Sequence, residues 1–188
     1  MPSTTLPRLG ARSAALTSTE GTRPIGPAAL AASLALRTHL WEPLVGFREE
    51  SRWTSLLEGD DVAAALDPSL RAELAGVQVW LLSWLPGQGT DLHDHGPSSG
   101  AFAVARGTLT ERVVAAGRGG RPRETRTDLG TGRVRSFGSH YVHQVTNPHE
   151  GPAVSVHVYA PRLTVMNTYR VDDTGLVRTG TEKAGVDW

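Results

Sequence analysis

The sequence predicts a mainly β protein, a β-sandwich or barrel preceded by helices. After Gly76 the chain divides into short apolar segments separated by glycine, proline, asparagine and aspartate, a pattern typical of such folds. Before Gly76, leucines recur at helical spacing. The 188 residues, 39% of them hydrophobic, suit one domain with a substantial core.

The chain divides into an arm and one domain. Residues 1–26 are rich in serine, threonine, proline and arginine and lack the apolar core of a secretory signal, so we expect a disordered arm. Residues 27–188 form the single domain. Its helical portion is predicted over 27–75 and its β-barrel over 76–180.

The helical portion begins with a leucine-rich segment over 30–44. A second helix is expected around 48–57. Asp67 followed by Pro68 is typical of an N-cap and first helical position, which predicts a short helix through Leu74.

The β portion contains eight predicted strands. They cover 77–85, 101–105, 109–115, 133–137, 141–146, 153–160, 163–169 and 176–179. Within the first, Trp80 and Trp84 are expected in the core. The arginine-rich stretch 117–126 is interpreted as a solvated loop between strands rather than a phosphate site.

Composition excludes several classes of function. Nineteen Lys+Arg balance nineteen Asp+Glu, so the formal net charge of +0 favours neither nucleic acid nor an anionic membrane as a partner. The absence of cysteine excludes disulfides, cysteine-ligated zinc and a cysteine nucleophile. No apolar run approaches the roughly 20 residues of a membrane span, and we expect a cytoplasmic protein.

Three histidines predict a metal centre. Residues i and i+2 of a strand point to one face, so His93 and His95 are expected to aim at one point, with His143 reaching it from another strand. Three neutral nitrogen ligands leave a divalent metal with open coordination positions, as catalytic sites require.

The glycines around these histidines carry a family resemblance. One motif begins at Gly87, five residues before the His-x-His pair, and continues to Gly100 after four more residues and to Gly107 after a further six. A second motif ends with His143 and Asn147. Together they resemble the cupin superfamily. The resemblance implies a single cupin, jelly-roll-like β-barrel.

One departure from the cupin motif bears on chemistry. Gly100 stands where the usual glutamate ligand would be. Three neutral histidines suit a substrate that brings its own negative charge to the metal, and a thiolate on Fe(II) is the natural candidate.

A polar row follows on the strand over 153–160. Ser155, His157 and Tyr159 share one face, while valines occupy the other. Buried polar groups need partners, and a serine–histidine–tyrosine relay would satisfy all three. A phenol held in this way can donate to a substrate group or to oxygen.

Together these features, over about 77–161, resemble the bacterial thiol dioxygenases, and cysteine dioxygenase in particular. The resemblance implies a mononuclear Fe(II) enzyme that uses O2 to convert a small thiol to its sulfinic acid. It implies His93, His95 and His143 as iron ligands and Ser155, His157 and Tyr159 as the relay. Animal members carry a cysteine crosslinked to the tyrosine; here Gly100 occupies that position, so the crosslink cannot form.

The substrate thiol stays open. Cysteine-specific relatives carry an arginine before the first strand, and mercaptopropionate-specific relatives carry glutamine. That position falls here on Thr54 or Leu56, depending on register, while nearby Arg52 offers a guanidinium suited to a carboxylate.

Two other classes of function fit the same motifs. One is a different metal-dependent cupin enzyme, such as a zinc, nickel or manganese lyase or isomerase. The other is a non-catalytic cupin that binds a small ligand or senses a metal. In each case we expect a monomer or small homo-oligomer.

Overall fold

Two antiparallel sheets pack against each other beneath a layer of short helices in the computed structural model, which describes residues 26–64, 66–117, 121–173 and 175–184. The predicted arm, 1–26, lies outside these residues except for its last member, which begins the first helix. The helices are α1 (Gly26–Leu36), α2 (Thr38–Trp41), α3 (Asp60–Ala64) and α4 (Pro68–Glu73), with 3-10 turns at Glu42–Leu44 and Leu74–Gly76.

Eleven strands were found in the described residues. They are β1 (Trp53–Leu56), β2 (Gln78–Trp84), β3 (Leu92–Asp94), β4 (Ser99–Arg106), β5 (Thr108–Ala116), β6 (Pro122–Gly130), β7 (Val134–Phe137), β8 (Val142–Thr146), β9 (Ala153–Ala160), β10 (Val165–Asp172) and β11 (Gly175–Lys183). One sheet has the order β1-β2-β9-β4-β7 and the other β11-β10-β3-β8-β5-β6. The predicted mainly β fold is confirmed. Its strands form two sheets, and no closed barrel was found among the described residues.

The five-stranded sheet is buried on both faces. Its outer face carries Val154, Val156 and Val158 of β9, which pack with Leu30 and Leu34 of α1. Its inner face joins residues of the six-stranded sheet in a second core. The alternation expected in β9 is therefore observed, with apolar residues toward the helices and polar residues between the sheets.

The helix predicted around 48–57 is wrong. Trp53–Leu56 forms strand β1, which pairs antiparallel with β2 and places Trp53 opposite Ser83. Tryptophan and threonine favour strands, and pairing with β2 satisfies backbone groups that a short isolated helix would leave exposed. The portion 27–75 is thus not wholly helical.

Other element boundaries also differ. The leucine-rich segment is helical but is divided between α1 and α2 at Arg37. Helix α4 begins at Pro68 as predicted, although Asp67 forms no side-chain cap. The stretch 117–126 is not all loop, because β6 begins at Pro122, and the last strand continues to Lys183, beyond the predicted limit of 180.

No helix in the described part of the chain is long and apolar enough to cross a membrane.

Candidate metal centre

The three predicted histidines meet inside the domain. His93 lies on β3, His95 follows that strand directly, and His143 lies on β8, where it is paired opposite His93. Their candidate ligand nitrogens all lie within 4.8 Å of one another, and all three side chains are buried. The strand geometry expected from the spacing thus brings them together.

Hydrogen bonds assign the ring nitrogens of two of these histidines. His93 Nδ1 lies 2.8 Å from the carbonyl oxygen of Asp91, and His143 Nδ1 lies 2.9 Å from Oε1 of Glu111. Both partners only accept, so each Nδ1 carries the hydrogen and each Nε2 offers a lone pair. His143 Nε2 is buried without a hydrogen-bond partner among the described residues, as expected of a nitrogen that serves as a metal ligand.

Burial keeps the imidazoles of His93 and His95 neutral. It lowers the pKa of His93 to about 3, with the neighbouring His143 adding to the effect. Burial also lowers the pKa of His95 well below its ordinary value, helped by the other two rings. Neutral imidazole is the form that binds a metal, so near pH 7 protons do not compete for these two ligands. The residues present fit a divalent metal ion.

Glu111 supports His143 and was not foreseen from the sequence. Its side chain is fully buried, and its second oxygen forms an ion pair with Nε of Arg135 at 2.5 Å. A carboxylate behind a ligand histidine fixes the ring orientation and strengthens its basicity. The sequence did contain one indication of this role. Glu111 stands two residues after Leu109 and therefore shares the inward face of β5, where a buried carboxylate needs a hydrogen-bonding or charged partner.

Replacing Glu111 with glutamine should weaken metal binding about 10- to 100-fold, the usual effect of losing such a carboxylate. The amide is similar in size but lacks the charge that polarises His143. Competition with a chelator measures the affinity. Glu124→Gln is the matched control, because Glu124 forms a surface ion pair with Arg112 on the same sheet. Affinity equal to wild type in Glu111→Gln would contradict the assigned support.

Asp94, between the first two histidines, holds this segment in place. Its carboxylate accepts hydrogen bonds from the backbone N–H of Gly96 (2.9 Å), the Asn167 amide (2.8 Å) and the Tyr169 hydroxyl (2.7 Å). Burial opposes ionisation of Asp94, but these hydrogen bonds outweigh it and lower the pKa. The histidine-bearing segment is thereby anchored to β10.

Gly100 lies where no ligand side chain fits. A Cβ added there would collide with the carbonyl oxygen of Val158 and lie 2.9 Å from the ring of Phe137. That ring instead stacks on His95, with ring centres 4.5 Å apart. The position of the motif glutamate is therefore occupied by close packing between Gly100, Val158 and Phe137, and the three histidines remain the candidate metal ligands.

The polar row of β9 forms the expected relay on the opposite wall. Ser155 Oγ lies 2.9 Å from Nε2 of His157, and the Tyr159 hydroxyl lies 3.5 Å from Nδ1 of the same ring. All three are buried. Trp84 lies in the core as predicted, yet it also donates its indole N–H to Ser155 Oγ at 2.9 Å, a contact the sequence did not reveal.

Arg52 reaches the pocket from the segment before β1. Its Nη1 lies 3.5 Å from the carbonyl oxygen of Gly89, and its guanidinium carbon lies 6.0 Å from the ring centre of Trp84. Burial lowers its pKa, but a guanidinium stays charged near pH 7. Of the two alternative positions, Thr54 also lines the pocket, whereas Leu56 is exposed.

The pocket between these groups is narrow. Its free volume of about 20 Å³ is room for roughly one water molecule. It adjoins a vestibule of about 220 Å³. The inner pocket is lined by Arg52, Thr54, Trp80, Leu82, Thr90, His93, His95, His143, Val145, His157, Tyr159 and Met166.

Wider grooves lie elsewhere on the surface. One of about 440 Å³ is bordered by Glu58 and Arg162, which pair with each other at 3.2 Å. It contains none of the histidines. The chemistry therefore points to the smaller pocket.

Solved structures similar to this chain include a cupin superfamily protein. The protein TT1209 from Thermus thermophilus is 21% identical, with 64% of this chain and 93% of that protein covered and a TM-score of 0.48. A cupin superfamily protein from Desulfitobacterium hafniense is 15% identical, with 64% and 87% covered and a TM-score of 0.44. A search of curated proteins finds no significant match.

A family model matches more than half of the chain. The model describes cysteine dioxygenase type I and matches residues 69–172 of the 188. The matched residues include the three histidines and the polar row of β9. This protein therefore belongs to the cysteine dioxygenase type I family.

Proposed function

We propose that this protein is a mononuclear Fe(II) thiol dioxygenase that oxidises a small thiol with O2 to the sulfinic acid. One observation carries the proposal: three histidines converge in a buried pocket that is also lined by Tyr159 and Arg52. Membership of a dioxygenase family supports the reaction class.

His93, His95 and His143 would hold the iron. Bound Fe(II) would supply a Lewis acid for the thiolate and the electrons that activate O2. Because the three ligands are neutral, a thiolate substrate would add the first negative charge to the centre. The overall change, RSH + O2 → RSO2H, places both oxygen atoms on sulfur and needs no external reductant.

Arg52 would bind the other end of the substrate. Its planar guanidinium suits a carboxylate, and its Nε is buried without a hydrogen-bond partner among the described residues. A thiol whose carboxyl carbon lies three bonds from sulfur would offer its carboxylate to Arg52 and its sulfur to the metal, because Arg52 and the three histidines line one pocket. Cysteine and 3-mercaptopropionate both meet this condition.

Tyr159 would orient the reacting groups. Burial raises the pKa of its hydroxyl, so the phenol stays protonated and can donate a hydrogen bond into the pocket. Its ring centre lies 5.0 Å from that of His95. Phe137 packs beside both rings, with its ring centre 4.5 Å from that of His95 and 5.8 Å from that of Tyr159, and would limit the access of water.

Oxygen uptake by the iron-loaded protein against four thiols tests the proposal. The panel is cysteine, 3-mercaptopropionate, cysteamine and homocysteine, with sulfinate identified by mass spectrometry. Uptake matched by one sulfinate per O2 for at least one thiol is expected. No uptake with iron fully bound, across the panel, would contradict the proposed reaction. Zinc- and manganese-loaded protein are the metal controls.

Tyr159→Phe should retain iron but lower turnover or the yield of sulfinate per O2 by about tenfold, because one neutral hydrogen bond of about 1–1.5 kcal/mol is lost. Iron content is measured beside oxygen uptake, so that a loss of metal is not mistaken for a loss of the hydroxyl. Unchanged kinetics and coupling would remove the role assigned to Tyr159.

A further inference from the structure

We propose that Trp84 is a positioning residue that sets the direction of the Ser155–His157–Tyr159 hydrogen bonds, so that the Tyr159 hydroxyl donates into the pocket. The direction follows from the contacts among these side chains alone. Its bearing on catalysis rests on the proposed function.

The indole N–H of Trp84 is the first donor in this series of hydrogen bonds, because it can donate but cannot accept. Trp84 Nε1 lies 2.9 Å from Ser155 Oγ, which must therefore accept from it. Ser155 has one hydrogen left to donate, and its other partner is His157 Nε2 at 2.9 Å. Nε2 then accepts, and the hydrogen of the neutral ring lies on Nδ1.

The contact between His157 and Tyr159 continues the series in the same direction. His157 Nδ1 faces the Tyr159 hydroxyl at 3.5 Å, so the ring donates and the phenol oxygen accepts. The phenol hydrogen is then free to point at whatever occupies the pocket. Phe102 stacks on His157 with ring centres 5.0 Å apart and 12° between planes, which holds the imidazole in this orientation.

The opposite direction leaves a buried group unsatisfied. If His157 Nε2 donated to Ser155, the serine oxygen would receive two donors, and its own hydrogen would need another acceptor. No such acceptor was found for Ser155 in the described parts of the chain, and the residue is fully buried. An unpaired buried hydroxyl hydrogen is costly, and the Trp84 N–H, by occupying the serine oxygen, orients this hydrogen toward His157 Nε2.

Trp84 also faces the Arg52 guanidinium, at 6.0 Å from the ring centre. One residue therefore contacts both the proposed carboxylate-binding group and the start of the relay. Phenylalanine at this position would keep an aromatic face toward Arg52 and remove the N–H together with part of the indole volume, a loss that Trp41→Phe also produces. Compared with Trp41→Phe, the substitution Trp84→Phe therefore tests the direction.

The test is nitrogen NMR of histidine-labelled, metal-free protein near pH 7, which distinguishes the two tautomers of His157 without reference to activity. The signal is assigned by its absence from His157→Gln. The wild-type ring is expected in the Nδ1–H form. In Trp84→Phe the ratio of Nδ1–H to Nε2–H should fall by about tenfold, as the loss of one hydrogen bond implies.

Trp41→Phe is the matched control. Trp41 is also buried and donates its indole N–H, to the carbonyl oxygen of Ala35 at 3.2 Å, but outside the pocket. Its loss should leave the His157 tautomer unchanged. If Trp84→Phe does not fold, the tautomer of wild-type His157 still tests the predicted direction.

Two results would overturn the inference: a wild-type His157 in the Nε2–H form, or an unchanged tautomer ratio in a folded Trp84→Phe protein. A tautomer shift in this variant supports the inference even if iron-loaded wild type oxidises no thiol. In that case only the proposed function fails.

Discussion

Replacing His93 with alanine is expected to abolish iron retention and reduce thiol oxidation to background. Loss of even an outer-sphere partner of a ligand usually weakens metal binding 10- to 100-fold, so loss of one of three ligands should exceed about 100-fold. The variant and wild type are loaded with Fe(II), passed through a desalting column with a weak chelator, and assayed for iron per chain.

The matched control for this experiment is His39→Ala. His39 lies on helix α2 and is exposed, so its removal eliminates one imidazole without touching the pocket. Iron content in the control should equal that of wild type. Full iron retention by the His93→Ala protein would refute the three-histidine site.

The second large effect is expected at Arg52. Arg52→Met keeps an apolar stem beside Trp84 but removes the charge. Hydrogen bonds to charged groups contribute about 1.5–3 kcal/mol, so kcat/KM for thiols with a carboxylate should fall roughly 10- to 150-fold. Cysteamine, which has no carboxylate, should lose nothing and gain from the removal of a like charge.

The informative quantity is therefore the ratio of kcat/KM for 3-mercaptopropionate to that for cysteamine. Arg48→Met provides the control, since Arg48 precedes Arg52 in the same segment but is exposed. An equal decrease for both thiols in Arg52→Met would indicate a general disturbance of the pocket and contradict carboxylate binding.

The parts of the site that could be predicted are those encoded by local spacing. His93 and His95, two residues apart on an extended segment, had to share a face, and so did Ser155, His157 and Tyr159. Such periodicity needs no knowledge of tertiary structure. The cupin motifs then related these two groups to His143.

The parts that could not be predicted depend on which strands become neighbours. Glu111 reaches His143 because β5 lies beside β8, and Trp84 reaches Ser155 because β2 lies beside β9. Pairing register is a tertiary property that local spacing does not encode.

The same limit explains the error in the fold. The residues of β1 do not alternate clearly between apolar and polar types, and only the edge of β2 makes them a strand. Propensity over so few residues is a weak guide, and pairing with β2 decides the outcome.

The division of groups between the two sheets has a consequence for how the enzyme would fail. His93 and His143 belong to the six-stranded sheet, whereas His157 and Tyr159 belong to the five-stranded sheet. Neither sheet alone carries both the histidine ligands and the Tyr159 hydroxyl. The alignment of these two groups therefore depends on the apolar side chains packed between the sheets. Since displacements of about 1 Å can cost 100-fold in rate, mild denaturant should extinguish activity while the strand content is still intact. The loss of activity would thus be detected at a lower denaturant concentration than the loss of strand content measured by spectroscopy of the backbone.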